Sequence, residues 1–169
     1  MESRAGGRDV VHRRRPVIVK TRLLGHHDRV STPVDSALHR HFGLDEFRPG
    51  QREVVEALAR GENVLAVMPT GSGKSLCYQL PALLADGLTV VVSPLISLMI
   101  DQVGGLRARG LAAAAIHSGQ DRAARAAVLA DLAAGRLKLL YVSPERFGNG
   151  AFLERLGASR IAHFIVDEA

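Results

Sequence analysis

Val64-Leu65-Ala66-Val67-Met68-Pro69-Thr70-Gly71-Ser72-Gly73-Lys74-Ser75 is the stretch that decides the reading of this chain. Its first four residues are a short apolar run, the length of a strand buried on both faces. A glycine-rich turn follows, and from Lys74 to about Leu84 the apolar spacing becomes helical. Strand, glycine turn and helix in that order form the context that a phosphate-binding loop requires. Glycines let backbone N–H groups approach phosphate oxygens, and the start of the helix adds a favourable dipole. In such a loop Thr70, Gly71, Ser72 and Gly73 wrap the phosphates, Lys74 reaches the terminal ones, and Ser75 ligates Mg²⁺. The strict pattern has glycine six residues before the lysine, where this chain has Met68. A Gly/Ser turn that merely caps a helix is the alternative, and the strand before it and the intact Gly-Lys-Ser argue against that.

The alternation continues outward. Downstream, Leu88 to Val92 reads as a second buried strand, followed by a helical stretch to about Arg109. Ala112 to Ile116 reads as a strand despite the helical preference of alanine, then Arg122 to Ala134 as a helix and Lys138 to Val142 as a strand. A short helix around Phe152 to Leu156 precedes the strand Ile161 to Val166. Upstream, Leu38, Phe42 and Leu44 suggest a short amphipathic helix, and Gln51 to Arg60 a second one that ends at Gly61. Continuous apolar strands alternating with helices specify an α/β fold, a parallel sheet with helices on both faces. The last strand runs into Asp167 and Glu168. Alone, two carboxylates at a strand end read as a solvated turn. Paired with the phosphate loop, Asp167 becomes the acid on the Mg²⁺ side and Glu168 the residue that activates water. ATP binding with positioned water is thus the residue-level reading, and Lys74, Asp167 and Glu168 are its catalytic candidates.

At 169 residues the chain fits one domain of ordinary size. Its single cysteine, Cys77, excludes a disulfide framework and a multi-cysteine zinc cluster within it. The longest mostly apolar stretch, Leu88 to Ile100, is too short to span a bilayer. An intracellular, cytoplasmic protein is expected, nucleoid-associated if bacterial. The net charge of +5 is confined to one end. Residues 1–33 carry seven Arg and one Lys against Glu2, Asp9 and Asp28, while residues 34–169 hold fourteen basic and fourteen acidic side chains. We divide the chain there, into a basic, disordered tail at 1–33 and an ordered portion at 34–169. Arg13 to Arg15 read either as a phosphate-contacting arm or as solvated charge, and His26 with His27 receives no metal, having no third ligand.

The ordered motifs resemble the first RecA-like domain of superfamily 2 helicases, and within them the RecQ family. Leu38, Phe42-Gly43, Phe47-Arg48 and Gln51 fall at the spacing of that family's nucleotide-recognition motif. The family's loop often begins with methionine, as at Met68, and Leu76-Cys77-Tyr78-Gln79-Leu80-Pro81 continues the match. Ser93 to Met99 with Asp101-Gln102 resembles motif Ia, Tyr141 to Arg146 resembles motif Ib, and Asp167-Glu168-Ala169 resembles the start of an Asp-Glu-Ala-His box.

The resemblance implies that Arg48 and Gln51 recognise adenine, a task suited to an amide that both donates and accepts. It implies that Ser93, Ser97, Ser143 and Arg146 border a DNA path, mostly against phosphates. His117-Ser118 either faces that path or is a strand-end turn, and Cys77 and Tyr78 read as packing residues. The implied activity is ATP-dependent DNA unwinding, 3′ to 5′, in DNA repair and recombination, with ATP and Mg²⁺ as cofactors. Single-stranded DNA and duplex junctions are the implied partners. The chain reads as a fragment of an incomplete RecA-like domain, because it stops within the box and lacks a second RecA-like domain with its arginine finger. A non-catalytic nucleotide- or DNA-binding module is the alternative. A small-molecule kinase would leave motifs Ia and Ib unexplained.

Overall fold

Apolar strands joined through helices return to the same end of a sheet, so successive strands run parallel. The computed structural model, which describes residues 17–20 and 33–168, follows this rule. Its elements are β1 (Val17–Lys20), α1 (Pro33–Phe42), α2 (Gln51–Ala59), β2 (Val64–Val67), α3 (Lys74–Leu84), β3 (Leu88–Val92), α4 (Ile96–Ala108), β4 (Ala113–Ile116), α5 (Arg122–Ala133), β5 (Leu139–Val142), α6 (Gly150–Gly157) and β6 (Ile161–Val166). Four strands form one parallel sheet in the order β4-β5-β3-β6, and β1 pairs with β2 in a separate parallel ribbon.

The period-2 rule sorts the residues of β3. Leu88 and Val90 face a layer with Val128 and Leu132 of α5 and Phe152 and Leu156 of α6. Val91 faces the opposite layer, with Tyr78 and Ala82 of α3 and Met99, Val103 and Leu106 of α4. Helices therefore cover both faces of the sheet. A third cluster joins α1, α2 and α3 through Leu38, Val54, Val55, Leu76 and Leu80. Burial there pushes the Cys77 thiol up to about 12, so it stays protonated and packs as a small apolar group. The alanine run of β4 is a strand because every one of its residues is buried; small side chains let helices approach closely there.

Several expectations need correction. β2 is neither hydrogen-bonded to the four-stranded sheet nor buried: Leu65 is 56% and Val67 67% exposed. A cavity of about 640 Å³ separates β2 from β6, so each strand has an open edge, and Phe164 and Val166 of β6 are exposed as well. Within the segment read as a disordered tail, Val17–Lys20 is a strand, its short β-branched run pairing along β2. Helix α6 starts earlier than its apolar residues suggest, because the Asn149 side chain accepts from Phe152 N–H and caps it, and a 3₁₀ turn over Pro144–Gly148 precedes it. The rest of residues 1–32, with Arg13 to Arg15, His26 and His27, lies outside the described residues, as does Ala169.

Candidate nucleotide-binding site

Parallel strands bring their carboxyl ends together, and ligand sites of α/β folds gather there. Here β2 ends at the phosphate loop, β3 at Ser93, β4 at His117, β5 at Ser143 and β6 at Asp167. The loop turns through Gly71 (φ 77°) and Gly73 (φ 80°), both left-handed. At Gly73 glycine is required twice over, since a Cβ would also lie 2.6 Å from the Gln51 amide nitrogen. Gly73 caps α3 without a side-chain hydrogen bond, which leaves the helix start free to meet an anion. The Ser72 hydroxyl is buried without a hydrogen-bond partner among the described residues. A cradle of left-handed glycines, an uncapped helix start and an orphaned hydroxyl fits a phosphate group.

Arg48 and Gln51 hold this loop from behind. The Arg48 guanidinium donates to Gly71 O at 2.7 Å. The Gln51 amide donates to Ser72 O at 2.9 Å and Gly73 O at 3.1 Å, and its oxygen accepts from Arg48 N–H at 2.9 Å. Gln51 is 2% exposed, so in this state its amide is fully engaged with protein.

The carboxylates arrive from the other side. Asp167 N–H bonds to Val92 O, which fixes the end of β6 against β3. Glu168 has φ 57°, a left-handed turn uncommon outside glycine, and its carboxylate lies 3.4 Å from the Lys74 ammonium. Lys74, Ser75, Asp167 and Glu168 thus converge, and Thr70 stands exposed on the loop. The residue that joins them was read from sequence as packing: Tyr78 donates its phenol to Asp167 Oδ2 at 2.8 Å and also reaches Ser75. Burial pushes its phenol well above the usual range and raises that of Tyr141, so both stay neutral donors. The signal was available, because positions 74, 75 and 78 share one helix face.

Among the described residues no group of three His, Cys, Asp or Glu side chains could hold a metal alone. One hydroxyl and one carboxylate suit Mg²⁺, which keeps waters and borrows its remaining ligands from phosphates. The donor set fits that ion.

A family model described as DEAD/DEAH box helicase matches residues 48–169. The chain belongs to that family. Among curated helicases, the ATP-dependent DNA helicase RecQ of Haemophilus influenzae is 48% identical over 134 residues, covering 79% of this chain and 22% of the relative. RecQ of Synechocystis is 53% identical over 112 residues, 66% of this chain and 23% of the relative. The probable ATP-dependent DNA helicase RecS of Bacillus subtilis is 44% identical over 139 residues, 82% and 28% respectively. The chain spans between a fifth and a third of the length of these helicases.

The expected DNA-side residues of this helicase domain are presented unequally. Ser97 is exposed. Ser93 and Ser143 are each 1% exposed. The Ser93 hydroxyl oxygen accepts from Leu95 N–H, and Ser143 donates its one hydroxyl proton to Glu145 at 2.5 Å. Ser118 meets the same Glu145 carboxylate, and these bonds hold it below the usual carboxylate range. The Arg146 guanidinium lies 6.0 Å from the Phe152 ring centroid, with its Nε buried and unpartnered. Sequence reading did not anticipate Glu145 as the link between the ends of β4 and β5.

Proposed function

We propose that this chain is the ATP-binding portion of a RecQ-type, Mg²⁺- and ATP-dependent DNA helicase that acts 3′ to 5′ in the cytoplasm, in DNA repair and recombination. One observation carries the reading: Lys74 of the phosphate loop lies 3.4 Å from Glu168, which follows β6, and both line one cavity with Asp167. The similarity to RecQ helicases over most of this chain supports it.

In this mechanism the loop N–H groups, the helix start and Lys74 bind the phosphates. Ser75 and Asp167 hold Mg²⁺, which when bound neutralises charge on the β- and γ-phosphate oxygens. Glu168 orients the attacking water and accepts its proton. Arg48 and Gln51 brace the loop and read the adenine edge. Ser97 and Arg146 face the phosphates of single-stranded DNA and of duplex junctions, with Ser93 and Ser143 shaping their loops from beneath. In this reading a second RecA-like domain completes the cleft and supplies an arginine to the nucleotide. An arginine supplied that way is worth about 10³ to 10⁵ in turnover in phosphate-loop enzymes.

The test is equilibrium ATP binding, ATP hydrolysis with and without single-stranded DNA, and strand separation, all on the purified chain. ATP should bind in the presence of Mg²⁺ and lose about tenfold or more in affinity in Lys74→Ala, which removes a point charge from the terminal phosphates. Strand separation should be absent. Equal ATP affinity in Lys74→Ala, or ATP-dependent unwinding by the chain alone, would refute the reading. The other reading, a module that binds nucleotide and DNA without turnover, predicts no DNA-stimulated hydrolysis.

A further inference from the structure

Tyr78 and Gln79 are adjacent on α3, and both are buried polar residues, each 6% exposed. Polar groups at that depth are costly unless they are hydrogen-bonded, so their partners are informative. Gln79 has two amide protons. One goes to Gln102 Oε1 on α4 at 2.7 Å, the other to the phenol oxygen of Tyr141 on β5 at 3.0 Å. Tyr141 is 1% exposed and packs in the same layer as Tyr78. The two rings meet edge to face at 6.5 Å.

Proton counting fixes the direction of the bond to Asp167. A phenol has one proton to give. Tyr78 gives its proton to Asp167 Oδ2 at 2.8 Å. The other Asp167 oxygen, Oδ1, accepts from Glu168 N–H at 3.1 Å. Each carboxylate oxygen is thus held by one donor and keeps lone-pair capacity for a further contact.

The geometry points to Tyr78 as a positioning residue for Asp167, its ring packed edge to face on Tyr141, which Gln79 ties to α4. This rests on the reading of Asp167 as the acid on the Mg²⁺ side. Partners that orient a metal-binding carboxylate raise metal affinity, and their loss costs about 10- to 100-fold. Gln79 ties Tyr141 to Gln102, on the helix that leads away from Ser93 and Ser97.

Tyr78→Phe removes one oxygen and keeps the ring in its layer, so it separates positioning from packing. ATP affinity is measured with Mg²⁺ and with EDTA, and the ratio is the Mg²⁺-dependent gain. Tyr78→Phe should cut that gain by about tenfold while its far-ultraviolet circular dichroism stays that of the wild type. Tyr141→Phe should keep the gain within about twofold, because Tyr78 retains its own proton. A second readout needs no variant. The sequence has two tyrosines and no tryptophan, so intrinsic emission reports Tyr78 and Tyr141 alone. Adding Mg²⁺ to the ATP-bound wild type should change that emission, and adding ATP in EDTA should change it less. An unaltered gain in Tyr78→Phe, an equal loss in Tyr141→Phe, or tyrosine emission indifferent to Mg²⁺ would overturn the assignment. A wild-type chain that binds ATP with no Mg²⁺-dependent gain would instead overturn the role given to Asp167, and this inference with it.

Discussion

Without nucleotide, the Lys74 ammonium sits beside Glu168, with both side chains partly open to water. A half-exposed pair of this kind is worth at most about 1 kcal/mol, so a triphosphate displaces it readily. In the proposed mechanism Glu168 is then both a competitor for Lys74 and the base of the reaction, and one substitution separates the two roles. Glu168→Gln should leave ATP affinity unchanged or raise it a few-fold, while hydrolysis by the DNA-bound, completed helicase falls by about 10²-fold or more. A clear loss of ATP affinity, measured by calorimetry, would contradict the competition. Gln51 also has two duties that nucleotide choice can separate. Gln51→Ala removes both bonds to the loop carbonyls, so affinity should fall for ATP and for a pyrimidine triphosphate. The loss should be greater for ATP if the amide also reads adenine. Unchanged pyrimidine binding would contradict the bracing role, and equal losses the adenine role. The roles proposed for Lys74, Ser75 and Asp167 could be read from sequence because they rest on spacing along the chain. The role proposed for Tyr78 could not, because among Leu76, Cys77 and Leu80 it reads as core and its acceptor comes 89 residues later.

Elements were legible wherever one periodicity and one covering layer agreed. Helix α3 runs Lys74–Leu84 as its pattern indicates, and α5 starts at Arg122 because the Asp121 side chain accepts from Ala124 N–H at 2.7 Å. The β4 strand was legible against propensity, since the alternation of elements left no other place for a strand there. The surroundings of β2 were not legible. Continuous apolarity predicts burial on both faces, but burial is a property of neighbours. The described residues place Leu65 and Val67 in the open beside the cavity that separates β2 from β6. Open strand edges bearing exposed apolar residues invite pairing with other chains. Leu65→Lys should therefore lower light scattering of the purified chain at equal concentration, with stability held within about 0.5 kcal/mol because the side chain is already exposed. A drop in thermal stability with no change in scattering would show that Leu65 is covered in solution.

Charge is the property that distinguishes the two ends of the whole molecule. The ordered portion from residue 34 onward is balanced, so the DNA binding proposed for it would depend on a few placed cations such as Arg146 and not on a general field. The excess of +5 belongs to residues 1–33, and five of its arginines precede residue 17. If Arg13, Arg14 and Arg15 contact phosphates, they release counterions and add to the salt dependence of binding. Deleting residues 1–16 tests this while keeping Val17–Lys20, the strand paired with β2. Anisotropy titrations of a labelled single strand across a salt series give the slope of log affinity against log salt. The slope should shrink by roughly 0.7 for each phosphate that the deletion leaves unneutralised, or about 2 for three arginines, with little change in ATP affinity. An unchanged slope would leave those arginines in solvent and place the DNA-binding charge on the ends of β3 to β5. A lost ATP affinity would mean that the segment supports β2 and the phosphate loop instead of the nucleic acid.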